Sequence, residues 1–224
     1  HVPPRLALLI GVGTAVCGNS AIVATAPVVK AEEREVSFAV ATITLFGTLA
    51  VFAFPLLGLW LGLDDVVFGL WSGIALNDTS QVVAASSAYS PVARDVATVV
   101  KLVRNALMAP LIELIAWWWH RDGSSGAETV GRSVRTAVPL FVLGFLALAS
   151  LRSVGAIGAA EAAVLDEIAK VCILVALAAV GLSTRIAQMR AIGPSPFYVG
   201  FGTAAVLAGL GLLAIVGLGI SPAL

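Results

Sequence analysis

Asp78 carries the sharpest chemistry in this chain, because it lies in the middle of an apolar stretch running from Val66 to Tyr89. A carboxylate at the centre of a membrane helix costs about 3 kcal/mol unless it is paired or solvated, and by default it marks a substrate or ion pathway. Asn77, Thr79, Ser80 and Gln81 surround it with oxygens and amides suited to an ion or a polar substrate. A helix broken at this knot would free backbone groups that are tolerated at membrane depth only where they line a cavity. The competing reading places Asp78 at a helix N-cap in a water-exposed loop, a position Asp favours.

A second knot, Cys17, Gly18, Asn19 and Ser20, interrupts the earlier apolar stretch Leu6 to Val29. Gly18 permits unusual backbone angles, and Asn19 and Ser20 can cap a half-helix that begins there. An exposed half-helix N-terminus carries positive partial charge and favours anions. Small-residue helix packing would enrich the same residue types. Lys101, Arg104 and Asn105 are spaced three and four apart, hence on one face of a helix expected over Val96 to Trp119. Facing the Asp78 knot, two cations would neutralise it or bind an anionic substrate. Lys101 stands about one turn into that helix and could snorkel to the surface, whereas Arg104 is deeper. Thr44, Gly47 and Thr48 form a small face that reads as close helix packing. No nucleophile–base constellation, phosphate loop or metal-ligand spacing occurs, so neither enzymatic chemistry nor a cofactor is expected.

These residues must be held by membrane helices. The chain is 59% hydrophobic and 12% charged, with a mean hydropathy of +1.02. A soluble domain carries about 25% charged residues, so lipid must form part of the solvent. The formal net charge is zero, which gives no reason to expect a nucleic-acid partner. Apolar stretches of about 20 residues fall at Leu6–Val29, Val36–Leu61, Val66–Tyr89 and Val96–Trp119, then near Thr136–Ser150, Ile168–Ser183 and Phe197–Ile220. The chain begins at His1 with no charged leader before the first stretch, which reads as a transmembrane domain incomplete at its N-terminus.

Shifting the chain by 60 residues places Gly13, Ala15, Ser20, Val23, Ala24, Arg34, Val36 and Val40 on Gly73, Ala75, Ser80, Val83, Ala84, Arg94, Val96 and Val100. In an Ala-, Val- and Gly-rich chain, identities alone weigh little. Their weight comes from the coincidence of the two polar breaks, since paired interrupted segments point to a transporter's binding site. Residues 6–61 and 66–119 are thus expected to be repeated core units within one domain, followed by three further spans over 136–220.

Each interrupted segment either crosses the membrane or dips in and returns as a hairpin. With hairpins, Arg5, Lys30 and Arg34 share one side and Asp64-Asp65 the other, and the two units are inverted. The positive-inside bias favours that arrangement. The loop from His120 to Arg135 and the loop with Arg185 and Arg190 are then cytoplasmic as well.

The stretches "GTAVCGNSAIVATAPVVK" (Gly13–Lys30), "FAVATITLFGTLAVFAFPLL" (Phe38–Leu57), "GLWSGIALNDTSQVVAAS", "VATVVKLVRNALMAPLI" and "GLSTRI" (Gly181–Ile186) resemble the YeiH-type UPF0324 family, which is associated with sulfate export. The resemblance implies an all-α polytopic membrane bundle with inverted repeats, similar to the bile-acid-symporter and cation–proton-antiporter group, in a bacterial inner membrane. Carried over by position, it falls on Cys17, Gly18, Ser20, Gln81, Lys101 and Arg104. Where the family is expected to hold a His-Glu pair, this chain has Asn77-Asp78: the acid is kept in shortened form and the histidine is gone, which counts against a histidine-dependent proton step. The resulting expectation is a secondary transporter exporting sulfate or another small anion, coupled to H⁺ or a cation. Asn19, Ser20 and Thr79–Gln81 would line the site. A passive anion channel or a regulatory membrane subunit is the alternative. The partners expected are the bilayer, a small anion and a coupling ion, with self-association left open.

Overall fold

The computed structural model describes residues 2–119 and 194–220, with scattered positions between 144 and 175. Among the described residues, all regular structure is helical. The loop His120 to Arg135, the Gly181–Ile186 motif with Arg185 and Arg190, and most of the spans expected near Thr136–Ser150 and Ile168–Ser183 lie outside them.

The first interrupted stretch forms α1 (Pro4–Ala15) and α2 (Asn19–Thr25). The long span is α3 (Glu33–Trp60), opened by a capping box in which Glu35 accepts from the backbone N–H of Glu32 at 2.9 Å. The second interrupted stretch forms α4 (Asp65–Ala75) and α5 (Thr79–Tyr89). Asp64 starts α4 by accepting from the backbone N–H groups of Val66 and Val67 at 2.8 and 2.9 Å.

The span expected to begin at Val96 starts earlier, at Pro91. Ser90 Oγ caps it by accepting from the backbone N–H of Ala93 at 3.0 Å, and Pro91 at the first helical position needs no donor. This span is divided into α6 (Pro91–Ala106) and α7 (Met108–Trp119). Pro110 has no N–H for the carbonyl of Ala106, which removes the hydrogen bond that would carry the helix through Leu107. The last described helix is α8 (Pro194–Gly217).

The path of the second interrupted segment follows from its neighbours. Glycines let α4 run close beside α6: a Cβ on Gly69 would lie 2.8 Å from the Ala93 carbonyl, and one on Gly73 would lie 2.9 Å from the Ala97 carbonyl. Residue numbers rise together along the two helices, so α4 and α6 are parallel. Along α5 they run oppositely, since Thr79 at its start bonds Asn105 while Tyr89 at its end adjoins the start of α6. Tyr89 also stacks on Phe68 and donates its hydroxyl to the Leu63 carbonyl, beside the start of α4. The chain therefore reverses at Leu76–Asp78, and α4–α5 is a hairpin.

The first segment also folds back. A Cβ on Gly13 would sit 2.9 Å from the Ile22 side chain, whereas nine residues of continuous helix would separate the two positions by about 13 Å.

Each hairpin has its own apolar core. Leu9, Ile10, Ala21, Ile22 and Val29 pack with Ala39 and Ile43 from the first half of α3 and with Met108, Ile112 and Ala116 from α7. Val67, Phe68, Val82 and Ala85 pack with Phe54 from the second half of α3 and with Ala93 and Ala97 from α6. The two rods α3 and α6–α7 thus contact one hairpin at one end and the other hairpin at the other.

Lipid-facing surface accounts for the rest of the apolar content. Glu33–Trp60 and Tyr198–Gly217 are long and apolar enough to cross a membrane, yet only 28% and 17% of their most apolar windows are buried. A soluble core helix would hide that surface. Here Phe52, Leu56, Leu59 and Trp60 on α3, and Phe201, Leu210 and Leu213 on α8, project outwards.

Candidate functional site

The tips of the two hairpins meet. A Cβ on Gly18 would lie 3.5 Å from the carbonyl oxygen of Asn77. Gly18 holds φ +66, a left-handed conformation that glycine adopts without steric cost, and its N–H closes the end of α1 on the Gly13 carbonyl at 2.9 Å. The second tip needs no glycine, because Leu76 and Asp78 are both extended.

Helix ends at these tips leave carbonyls without partners, and two cations supply the missing donors. Lys101 is 0% exposed, and its ammonium donates to the carbonyls of Val16 (2.7 Å), Leu76 (3.0 Å) and Asn77 (2.5 Å). Arg104 donates through Nη1 to the carbonyls of Gly73 (2.8 Å) and Leu76 (3.0 Å), and through Nη2 to that of Thr14 (2.9 Å). Each cation therefore binds both hairpins at the negative ends of α1 and α4, where positive charge is stabilising. Hydrogen bonds from charged donors contribute about 1.5–3 kcal/mol each, and here they replace the water both groups have lost.

Lys101 does not reach the surface: with the helix starting at Pro91, it stands nearly three turns in, and all three ammonium protons are engaged. Among the described residues neither cation pairs with Asp78. The carboxylate instead caps α5, accepting from the backbone N–H of Ser80 at 2.9 Å and from its hydroxyl at 2.7 Å. Gln81 Oε1 accepts in return from the Asp78 N–H at 3.3 Å. Gln81 is itself buried against Gly47 of α3, where any side chain would collide with its amide.

The other residues singled out by sequence gather at the same place. Cys17 is buried, its thiol 3.3 Å from the Met108 sulfur at the start of α7. Asn19 Nδ2 donates to Thr44 Oγ1 at 3.2 Å. Thr79 Oγ1 accepts from Asn105 Nδ2, also at 3.2 Å. Asn77 and Asn105 are 3% and 1% exposed, and the side-chain carbonyl oxygens of both lack a donor. Ser20 is exposed, while Asn19, Asp78, Thr79 and Ser80 are half-buried.

Three participants carried no comparable signal in the sequence. Thr44 read as packing but bonds Asn19. Met108 is an ordinary apolar residue until the fold sets it on Cys17. Thr14 brings its carbonyl to Arg104 and its hydroxyl within 3.4 Å of Thr203 on α8.

Comparison with known proteins agrees with a membrane location. The family described as conserved hypothetical protein 698 matches residues 1–200. A UPF0324 membrane protein of Streptococcus pneumoniae is 38% identical over 83% of this chain and 56% of its own length. One from Geobacter sulfurreducens is 38% identical over 84% of this chain and 57% of its own. One from Bordetella bronchiseptica is 34% identical over 87% of this chain and 61% of its own. The chain thus spans roughly three-fifths of the length of these curated relatives. No solved structure matches it. With this coverage and its outward-facing apolar spans, the chain is a membrane protein and belongs to the UPF0324 membrane-protein family.

Proposed function

We propose that this chain forms the core of a secondary transporter for small anions, with the meeting hairpin tips as the substrate site. The observation that carries this reading is the charge held there. Four half-helix ends converge, two negative and two positive, and their partial charges offset one another. Two cations, the buried Lys101 and the half-buried Arg104, stand at the junction against a single carboxylate, Asp78, which leaves an excess of positive charge there. An anion is the ligand that balances it. Asn19, Ser20, Thr79 and Ser80 supply hydroxyl and amide groups beside the junction, and Cys17, Gly18, Asn77 and Gln81 shape the tips. Small oxyanions of the sulfate class fit such donors.

The two units, hairpin plus rod, are read as inverted repeats. Supporting this, α3 meets its own hairpin at its N-terminal half, and α6–α7 does the same with the second hairpin. Rods that share two hairpins in this way run antiparallel, and re-entrant elements meeting between inverted units are a recurrent way to build alternating access.

The test is flux in proteoliposomes. Labelled sulfate should accumulate against its gradient when a pH or cation gradient is imposed. Asp78→Asn should abolish the coupling while the protein stays folded, because Asn caps a helix about as well as Asp. Flux that only runs downhill would identify a channel instead, and unchanged coupling in Asp78→Asn would remove that residue's role.

A further inference from the structure

We propose that the outward faces of α2 and α5 are covered, in the whole protein, by a transmembrane helix from the part of the family's length that lies outside residues 1–224. The proposal stands on the membrane location and the 60-residue relation, and is independent of the anion reading.

That relation is unevenly spread over the two half-helices. On their inner sides burial agrees while identity does not. Ala21, Ile22 and Thr25 are buried on α2, and the corresponding Gln81, Val82 and Ala85 are buried on α5. On their outer sides identity holds. Ser20 matches Ser80, Val23 matches Val83 and Ala24 matches Ala84, and none of the six is buried. Spaced three and four apart, each set forms one face of its half-helix.

Core positions can differ between the two units as long as their neighbours repack around them, as the inner positions do. A lipid-facing position asks only for an apolar side chain and is just as free to differ. Equal residues at equal outward positions are expected where both faces meet a partner that makes the same demand of each.

The chemistry of these faces also argues against lipid. At the helix breaks Ser20 is exposed, and Asp78, Thr79 and Ser80 are half-buried. Polar groups at that depth are not left against hydrocarbon. The faces that do meet lipid carry bulky side chains, such as Phe52 and Leu56 on α3 and Phe201 and Leu213 on α8. Ser, Val and Ala form a low surface on which another membrane helix packs closely.

The helix α8 packs on the first half-helices instead. Thr203 Oγ1 lies 3.4 Å from Thr14 Oγ1 on α1, and Trp71 Nε1 on α4 donates to the Ala208 carbonyl at 2.9 Å. The relatives hold roughly two-fifths of their length beyond the part that matches this chain, enough for several spans of about 20 residues. The two faces begin where the hairpin tips meet and lead towards opposite ends of α3. A helix crossing the membrane beside the tips therefore reaches both, and it shields the polar junction from lipid.

The test places a benzophenone amino acid at Val23 or Val83 of the full-length protein and irradiates it in native membranes. Mass spectrometry should find cross-links to peptides of the same molecule outside residues 1–224, whereas the same probe at Phe52 or Leu213 should give lipid adducts. Lipid adducts from positions 23 and 83, a cross-linked dimer, or capture of a peptide within residues 1–224 would each overturn the proposal. A smaller probe guards against misfolding: nitroxides on Val23→Cys and Val83→Cys, in a Cys172→Ala background with Cys17 left buried. Their collision rate with oxygen dissolved in the lipid should be severalfold lower than that of a nitroxide on Phe52→Cys. Equal rates at the three positions would overturn the proposal as well. Neither measurement involves transport, so this proposal and the anion-carrier reading fail separately.

Discussion

Lys101 Nζ donates to the Val16 carbonyl at 2.7 Å, although Lys101 belongs to the helix that buries the second hairpin and Val16 to the tip of the first. The shift of 60 residues that relates the two units puts Ala41 opposite Lys101 and Thr44 opposite Arg104. The second unit alone therefore provides cations for both tips. One rod ties the two re-entrant elements together at the level where their helices end.

Lys101→Met should be severely destabilising, by about 3 kcal/mol or more. It strands three buried carbonyls, each costing about 1–3 kcal/mol when unsatisfied. Thermal unfolding in detergent, together with the yield of folded protein in membranes, reads this directly. A variant as stable as the parent would mean that the carbonyls find other partners.

Arg104→Lys keeps the charge but not the fork. A single ammonium cannot replace a guanidinium whose Nη1 and Nη2 reach different hairpins. The expected loss is smaller, ~1–2 kcal/mol for the bonds given up, with anion flux falling further than stability. Flux equal to the parent's would show that charge alone suffices at this position.

Asp78→Ala and Asp78→Asn should separate cap from charge. The alanine variant loses the bonds to Ser80 and should melt earlier, at a cost of about 1 kcal/mol, whereas the asparagine variant should melt close to the parent. Equal loss in both would mean that the carboxylate's charge, rather than its capping, stabilises α5.

Gly73→Ala should weaken the second hairpin. The added Cβ would meet Val100 Cβ at 2.8 Å and the Ala97 carbonyl at 2.9 Å, and α4 can escape only by moving off α6. Overpacking of this kind costs about 1–3 kcal/mol. Gly11→Ala, where nothing lies within 4 Å of the new atom, is the control and should be neutral.

Much of this arrangement was legible from residue types. Asp78 marked the second break, because a carboxylate has no ordinary reason to sit inside a membrane helix, and the polar knot around Gly18 marked the first by its match to the second. The coincidence of those breaks at a shift of 60 residues located both tips. The partners of Lys101 and Arg104 were not legible, because their ligands are backbone carbonyls. A carbonyl exists at every position, and only the fold decides which ones lose their helical partner. For the same reason the sequence paired the cations with Asp78, the visible opposite charge, whereas the carboxylate is turned to its own helix start. Thr44 and Met108 were hidden by their ordinariness, since Thr and Met in a membrane helix normally report packing. Hydropathy is identical whether the interrupted segments cross or return, and in the sequence only the distribution of Lys and Arg favoured the return. It took Tyr89 stacked on Phe68 to bring the ends of α4 and α5 to one side.

The most direct test of two opposed hairpins is single-cysteine labelling in intact cells with a membrane-impermeant thiol reagent, in a Cys172→Ala background with Cys17 left buried. Asp65→Cys and Ala88→Cys, both at exposed positions flanking the second hairpin, should label from the same side of the membrane. Glu33→Cys, after the first hairpin, should label only from the opposite side. Labelling of positions 65 and 88 from opposite faces would mean that the second segment crosses the membrane, and would contradict the meeting of re-entrant tips on which the account depends.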